Sequence, residues 1–328
     1  MPDQKTFDIL LLIALPASGK SEVRKYLEHM PVEKRISDFH MGETVQFDDF
    51  PYVHLMRLVD EELIKLNVPK LFYHSSEKPF LNDLEWGTLI ELVNDDYDEI
   101  VNKKSIKPVS LVDYYLDRIE AASLKVGLPA RLSKLSKDVR DVLSKNLQKE
   151  CEKMFADKQK LLGQNLKGKT IVIEFARGGP QGSSMPLMGG YGYQYSLPKL
   201  SKEILDRSAI LYIWVEPEES RRKNADRNDP NDPGSILHHS VPITVMLNDY
   251  GCDDLVYLEN TSEVPGTLTV QAHGKTYHLP IAKFDNRKDK TSFLRGDPAK
   301  WDKEHVKIMH NEIKGALDKL AKMCFEKK

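Results

Sequence analysis

Residues 8–14 (DILLLIA) form an apolar run that follows one aspartate and ends at a turn. A run of that length predicts a strand buried on both faces, the usual state in a parallel sheet. Residues 21–30 (SEVRKYLEHM) then read as a short helix. Runs of the same kind at 170–176 (TIVIEFA), 209–215 (AILYIWV) and 254–260 (DLVYLEN) predict three further strands. A fifth falls between Arg35 and Asp49, at RISDFHM or at ETVQFDD, and the pattern leaves both open. Strands separated by helical stretches imply an α/β fold of three layers around a five-stranded parallel sheet. Ligands of such sheets sit at the carboxyl ends of the strands.

Between Phe50 and Gly168 the periodicity is helical. VHLMRLVDEELIKL, LEWGTLIELVNDDYDEI and SLVDYYLDRIEAASL are followed by Leu132, Leu135, Val139, Leu143 and Leu147 on one face. The expected organisation is a core of residues 1–49 and 169–262, with residues 50–168 as a large helical insertion that caps the substrate. Residues 221–242 (RRKNADRNDPNDPGSILHHSVP) have the composition of a lid loop. In 263–328 a C-terminal β-hairpin (GTLTVQAHGKTYHLPI) precedes a helix from about Lys300. That helix sets Val306, Met309, Ile313, Leu317, Leu320 and Cys324 in a stripe that packs on the core or forms a homodimer seam.

Charge narrows the partners. Lys plus Arg (48) nearly balance Asp plus Glu (50), so no nucleic-acid surface is expected. No stretch is apolar enough to span a bilayer, and the N-terminal run, which carries Asp8 and leads into a Gly-Lys turn, does not read as a signal peptide. Cys151, Cys252 and Cys324 are dispersed, which suits a reducing, cytoplasmic setting and no zinc site.

Candidate chemistry starts at the end of the first run. Ala14, Leu15, Pro16, Ala17, Ser18, Gly19, Lys20 and Ser21 fit the Walker A pattern except that alanine stands at the first glycine. In such a loop backbone N–H groups and a helix N-terminus hold phosphates, lysine bridges the outer phosphates, and the hydroxyl ligates magnesium. Alanine at the strand exit is tolerated unless that residue needs positive φ.

ETVQFDDFPY, residues 43–52, resembles the stretch at the second strand of P-loop kinases that phosphorylate small molecules, such as uridine kinase, nicotinamide riboside kinase and phosphoribulokinase. The resemblance implies that Asp48 is the base or metal-side carboxylate, with Asp49 as its alternate and Tyr52 near the substrate. Glu174 stands where P-loop proteins keep a Walker B acid, and Arg177 follows it in an arrangement that looks like the Glu-Arg-Ser stretch of deoxynucleoside kinases. Arg222 and Arg227, ahead of Arg221, resemble the lid arginines of adenylate-kinase-like enzymes, and Asn260 the asparagine that contacts adenine. The blander readings are a solvated acidic turn at Asp48, a Glu174–Arg177 ion pair and a solvated basic helix. The implied cofactors are ATP and Mg2+, with Ser21, Asp48 and Glu174 as magnesium ligands and a small-molecule acceptor as partner. The expected function is an ATP-dependent kinase of a nucleoside, nucleotide or sugar derivative; the alternative is a nucleotide-dependent switch whose insertion grips a protein.

Overall fold

The computed structural model describes residues 5–104, 106–227 and 240–326. Its strands are β1 (Ile9–Ile13), β2 (Thr44–Asp48), β3 (Thr170–Phe175), β4 (Ser208–Trp214), β5 (Thr267–Ala272) and β6 (Lys275–Asp285). In chain order the helices are α1 (Lys20–His29), α2 (Val32–Phe39), α3 (Phe50–Lys65), α4 (Glu85–Val101), α5 (Leu111–Lys125) and α6 (Lys137–Leu162). They continue with α7 (Gly192–Ser196), α8 (Lys202–Arg207), α9 (Pro217–Ala225), α10 (Ile243–Asn248), α11 (Leu255–Asn260) and α12 (Lys303–Phe325).

The six strands form one sheet in the order β2-β3-β1-β4-β6-β5. All neighbours are parallel except β5, which runs antiparallel to β6 at the edge. The apolar runs at 8–14, 170–176 and 209–215 are the three central strands, and β1 is buried at every position. Of the two candidates between Arg35 and Asp49, ETVQFDD contains β2, while RISDF belongs to α2. From β1 the chain runs out to the β2 edge and back to β3, then crosses to β4 on the other side of β1. Loops leaving β3 and β4 therefore part above the carboxyl end of β1, where such sheets have their crevice.

One predicted strand is a helix. DLVYLEN forms α11, and the slot beside β4 is filled by β6, whose Ile281–Asp285 pair with Ile210–Trp214. The physical reason lies in the burial. Only Leu255 of α11 is fully buried, a single-sided pattern that suits a surface helix. β6 is continuously buried from Leu279 to Ala282, where it comes alongside β4, and only Lys283 and Asp285 of the stretch beside β4 are partly exposed. The expected hairpin is present, but it completes the sheet rather than packing on it.

The insertion at 50–168 is helical as expected, comprising α3 to α6. It owns a separate apolar cluster that includes Leu55, Val59, Leu89, Tyr115, Ile119 and Leu143 and is joined by Val245, Met246 and Tyr250 from beyond the lid. The insertion and the returning chain thus close over one end of the sheet. In α12, Met309, Ile313, Leu317 and Leu320 are buried in the core cluster of the sheet, with Val306 and Cys324 partly buried against it, so this stripe packs on its own chain. Among the described residues no helix is long and apolar enough to cross a membrane.

Candidate functional site

The loop between β1 and α1 is shaped by two left-handed residues, Ala17 (φ 53°) and Gly19 (φ 108°). Gly19 caps α1, and no side chain caps the helix N-terminus. A Cβ on Gly19 would lie 2.5 Å from Thr291 Oγ1 and 2.8 Å from Asn286 Nδ2, so this position excludes any side chain. Ala14, standing at the usual glycine, has no positive φ, so its methyl group meets no backbone strain.

Lys20 is buried, and its ammonium donates to the carbonyls of Ala14 and Leu15, each at 3.3 Å. Burial pushes its pKa below the ordinary lysine value, against the opposing pull of Glu174. Beside it the hydroxyl of Ser18, 1% exposed, has no hydrogen-bond partner among the described residues. An uncapped helix end, an ammonium held by two 3.3 Å bonds and an orphan hydroxyl meet in one loop, an arrangement whose chemistry suits an anion.

Two carboxylates stand side by side at the neighbouring strand ends. Asp48 of β2 and Glu174 of β3 are register partners, so their side chains leave the same face of the sheet. Asp48 accepts the Phe50 N–H at 2.7 Å, and desolvation, with the charges of Glu174 and Asp49, pushes its pKa up to about 8. Glu174 accepts from Arg24 Nη1 at 3.1 Å. Arg24, which the sequence did not single out, takes the place foreseen for Arg177 in a Glu174 ion pair.

Arg177 instead pairs with Asp49, Nη1 to Oδ2 at 2.7 Å, and is 1% exposed. It also donates to Ser196 Oγ and the Trp86 carbonyl, and its guanidinium lies 4.9 Å from the Trp86 ring centre and 5.1 Å from that of Phe175. Arg177 is a strut between sheet and insertion, with its donors used internally. The same pair distinguishes the two adjacent aspartates: Asp49 is ion-paired with Arg177, while among the described residues no guanidinium stands within hydrogen-bond distance of Asp48. Tyr52 donates to Asp96 at 2.8 Å within a buried network with Arg118 and lines a second cavity of about 540 Å3 under the insertion, which Asp48 and Phe50 also border.

The lid arginines divide. Arg227 is buried and donates to Glu22 at 2.9 Å, and Arg295 donates to the same carboxylate at 2.9 Å. Burial raises the pKa of Glu22, but the two guanidinium groups outweigh it and hold the carboxyl below its usual value. Arg222 is half exposed and occupied by Glu219 and Asp226 on its own helix, and Arg221 pairs with Glu218. The structure therefore brings Arg227 to the loop and leaves Arg222 on the surface, where carboxylates three residues before it and four after it hold its guanidinium. Of the expected lid, residues 228–239 lie outside the described residues.

Asn260 ends α11 in solvent, far in topology from the phosphate loop, because its run is not a strand. Its expected position is held by Asn286, immediately after β6. Asn286 is fully buried, and its Nδ2 donates to the Ser18 carbonyl at 2.6 Å and to Thr291 Oγ1 at 3.0 Å. The signal was present in IAKFDNRKDKTS, an apolar strand end followed by asparagine, but the hairpin pattern masked it.

No family model, curated protein or solved structure matches the chain. Its site must be read from its own geometry. Lys20, Ser21, Asp48, Glu174 and Arg227 all border one cavity of about 160 Å3, which continues beneath the insertion. Among the described residues no group of three or more His, Cys, Asp or Glu side chains is arranged to hold a metal unaided. Two carboxylates and the Ser21 hydroxyl do suit Mg2+, which commonly takes one or two carboxylates and completes its shell with water and phosphate oxygens.

Proposed function

We propose that this protein is an ATP-dependent phosphotransferase that transfers the terminal phosphoryl group to a hydroxyl of a small molecule. The observation that carries the reading is Lys20, a buried ammonium within an uncapped loop that also holds the orphan Ser18 hydroxyl, facing the Asp48–Glu174 pair across one cavity. A strand, phosphate loop and helix at the switch point of a parallel sheet support a P-loop nucleotide fold.

In this reading the loop N–H groups and Lys20 hold the β- and γ-phosphates. Ser21, with Asp48 or Glu174, would hold Mg2+, which offsets phosphate charge. Arg227 reaches the phosphates once it shares its second guanidinium face with them, and Asp48, having released its own proton as Mg-ATP binds, orients the acceptor hydroxyl and takes its proton. The hydroxyl oxygen then bonds to the γ-phosphorus as the bond to the bridging oxygen breaks, and ADP leaves. Positioning and charge neutralisation suffice for such a transfer.

The test has two steps. Mg-ATP should raise the melting temperature of the wild type and not of Lys20→Ala, and ADP release should depend on an added hydroxyl acceptor. Failure of the first step removes the nucleotide reading. Binding without acceptor-dependent turnover, together with a protein captured only in the ATP form, would favour a nucleotide switch.

A further inference from the structure

The cavity at Lys20 has a second end. Beyond Asp48 its walls are Tyr73 and Phe80 from the α3–α4 connection, Trp86 of α4 and Tyr250 after α10, all buried. Tyr73 and Phe80 lie face to face at 4.4 Å, and Trp86 meets Phe80 and Tyr250 edge-on at 4.9 and 5.5 Å. Among the described residues, Arg57 and Asp249 bring charged groups to this end of the chamber. Arg57 is used, with its guanidinium 4.1 Å from the Tyr73 ring centre and a bond to the Ser76 carbonyl. The Asp249 side chain is 3% exposed and makes no hydrogen bond to any described residue.

A buried carboxyl without a partner is costly and is retained where a ligand completes it. Tyr73 is covered by Phe80 and Arg57, and Trp86 by Arg177, so the ring edges and the remaining surfaces of Phe80 and Tyr250 are what meet a ligand, and such a wall binds a planar group better than a flexible polyol. Among the described residues the cation lining the chamber beyond Asp48 is Arg57, which is engaged with Tyr73 and the Ser76 carbonyl rather than offered to a phosphate. Its volume, shared with the phosphate loop, lies below the usual range for drug-sized ligands, which favours one ring over two.

We infer that the acceptor is an uncharged molecule built on a single planar heterocycle, with the ring held by Tyr73, Phe80, Trp86 and Tyr250, its N–H edge on Asp249, and a side-arm hydroxyl reaching Asp48. This rests on the phosphotransferase reading for the fate of the hydroxyl but not for the ring site itself. Asp249 titrates near neutrality, at about 7, because burial opposes its charge and Asp83 adds to it against the pull of Arg57. It therefore serves as acceptor to a ring N–H or, protonated, as donor to a ring nitrogen.

The experiment measures equilibrium binding by tryptophan fluorescence and calorimetry, without nucleotide and then with a non-hydrolysable ATP analogue. The probes are a pyrimidine nucleoside, a hydroxymethylpyrimidine, a hexose and a nucleoside monophosphate. One or both uncharged ring alcohols should bind at least tenfold more tightly than the hexose and the monophosphate, and the better of the two identifies the side arm. Asp249→Asn should weaken ring binding about tenfold while leaving stabilisation by Mg-ATP unchanged, and Phe80→Leu should weaken it if the asparagine variant fails to fold. Hexose or monophosphate binding preferred over the rings, or ring binding indifferent to both variants, overturns the inference even where Mg-ATP binds. Ring binding with no nucleotide binding upholds the chamber and removes the phosphotransferase reading alone.

Discussion

Asn286 Nδ2 donates to the Ser18 carbonyl at 2.6 Å, tying the chain after the last parallel strand to the middle of the β1–α1 loop. The residues involved are 268 positions apart. Asn286 also accepts the Lys290 N–H at 2.7 Å, so one amide fixes both loops. Asn286→Ala strips a buried carbonyl of its donor and should lower stability by about 1–3 kcal/mol. Nucleotide affinity should fall as well, because the loop loses its backing; chemical denaturation and ATP-analogue titration measure the two effects.

Asp48 makes stability depend on pH in a defined direction. Its folded pKa, about 8, lies above that of an unfolded aspartate, so the stabilising contribution is complete below about pH 4 and is lost as pH rises through 8. Between pH 6 and 9 the wild type should lose stability through this group, and Asp48→Asn should not. The same variant should lower acceptor-dependent turnover by about 100-fold or more. A variant that keeps the wild-type pH slope assigns the titration to another residue.

The same shift links metal and proton. At pH 7 Asp48 holds its proton, whereas a Mg2+ ligand must be a carboxylate. Mg-ATP binding at pH 7 should therefore release a proton, and calorimetry in two buffers of different ionisation enthalpy should detect it. At pH 9 the release should vanish.

Arg177 and Asp49 form a buried pair that holds the insertion to the sheet. Arg177→Met leaves Asp49 buried and uncompensated and should cost about 3–5 kcal/mol in denaturant unfolding. Adding Asp49→Leu should recover much of that loss. By contrast, Arg222→Ala breaks only exposed helix pairs, and its stability should stay within about 0.5 kcal/mol of wild type.

The alanine at the start of the phosphate loop gives a paired test. Ala14→Gly should leave nucleotide binding within twofold, since Ala14 has an ordinary φ. Gly19→Ala should abolish it, since φ is 108° and the new methyl group would meet Thr291 Oγ1 at 2.5 Å.

The sequence by itself determined the central strands, the helical insertion and the strand–loop–helix unit at β1–α1, because continuous burial and helical periodicity are local properties of the chain. It also brought Asp48 and Glu174 forward, and the structure makes them register partners. Only tertiary structure decided which strand fills the slot beside β4, since the choice between 254–260 and β6 depends on what each run packs against. It likewise decided the pairing of Arg177 with Asp49, of Arg24 with Glu174 and of both Arg227 and Arg295 with Glu22. Charges of one sign are interchangeable in a sequence, and only burial and distance select the partner that compensates each of them.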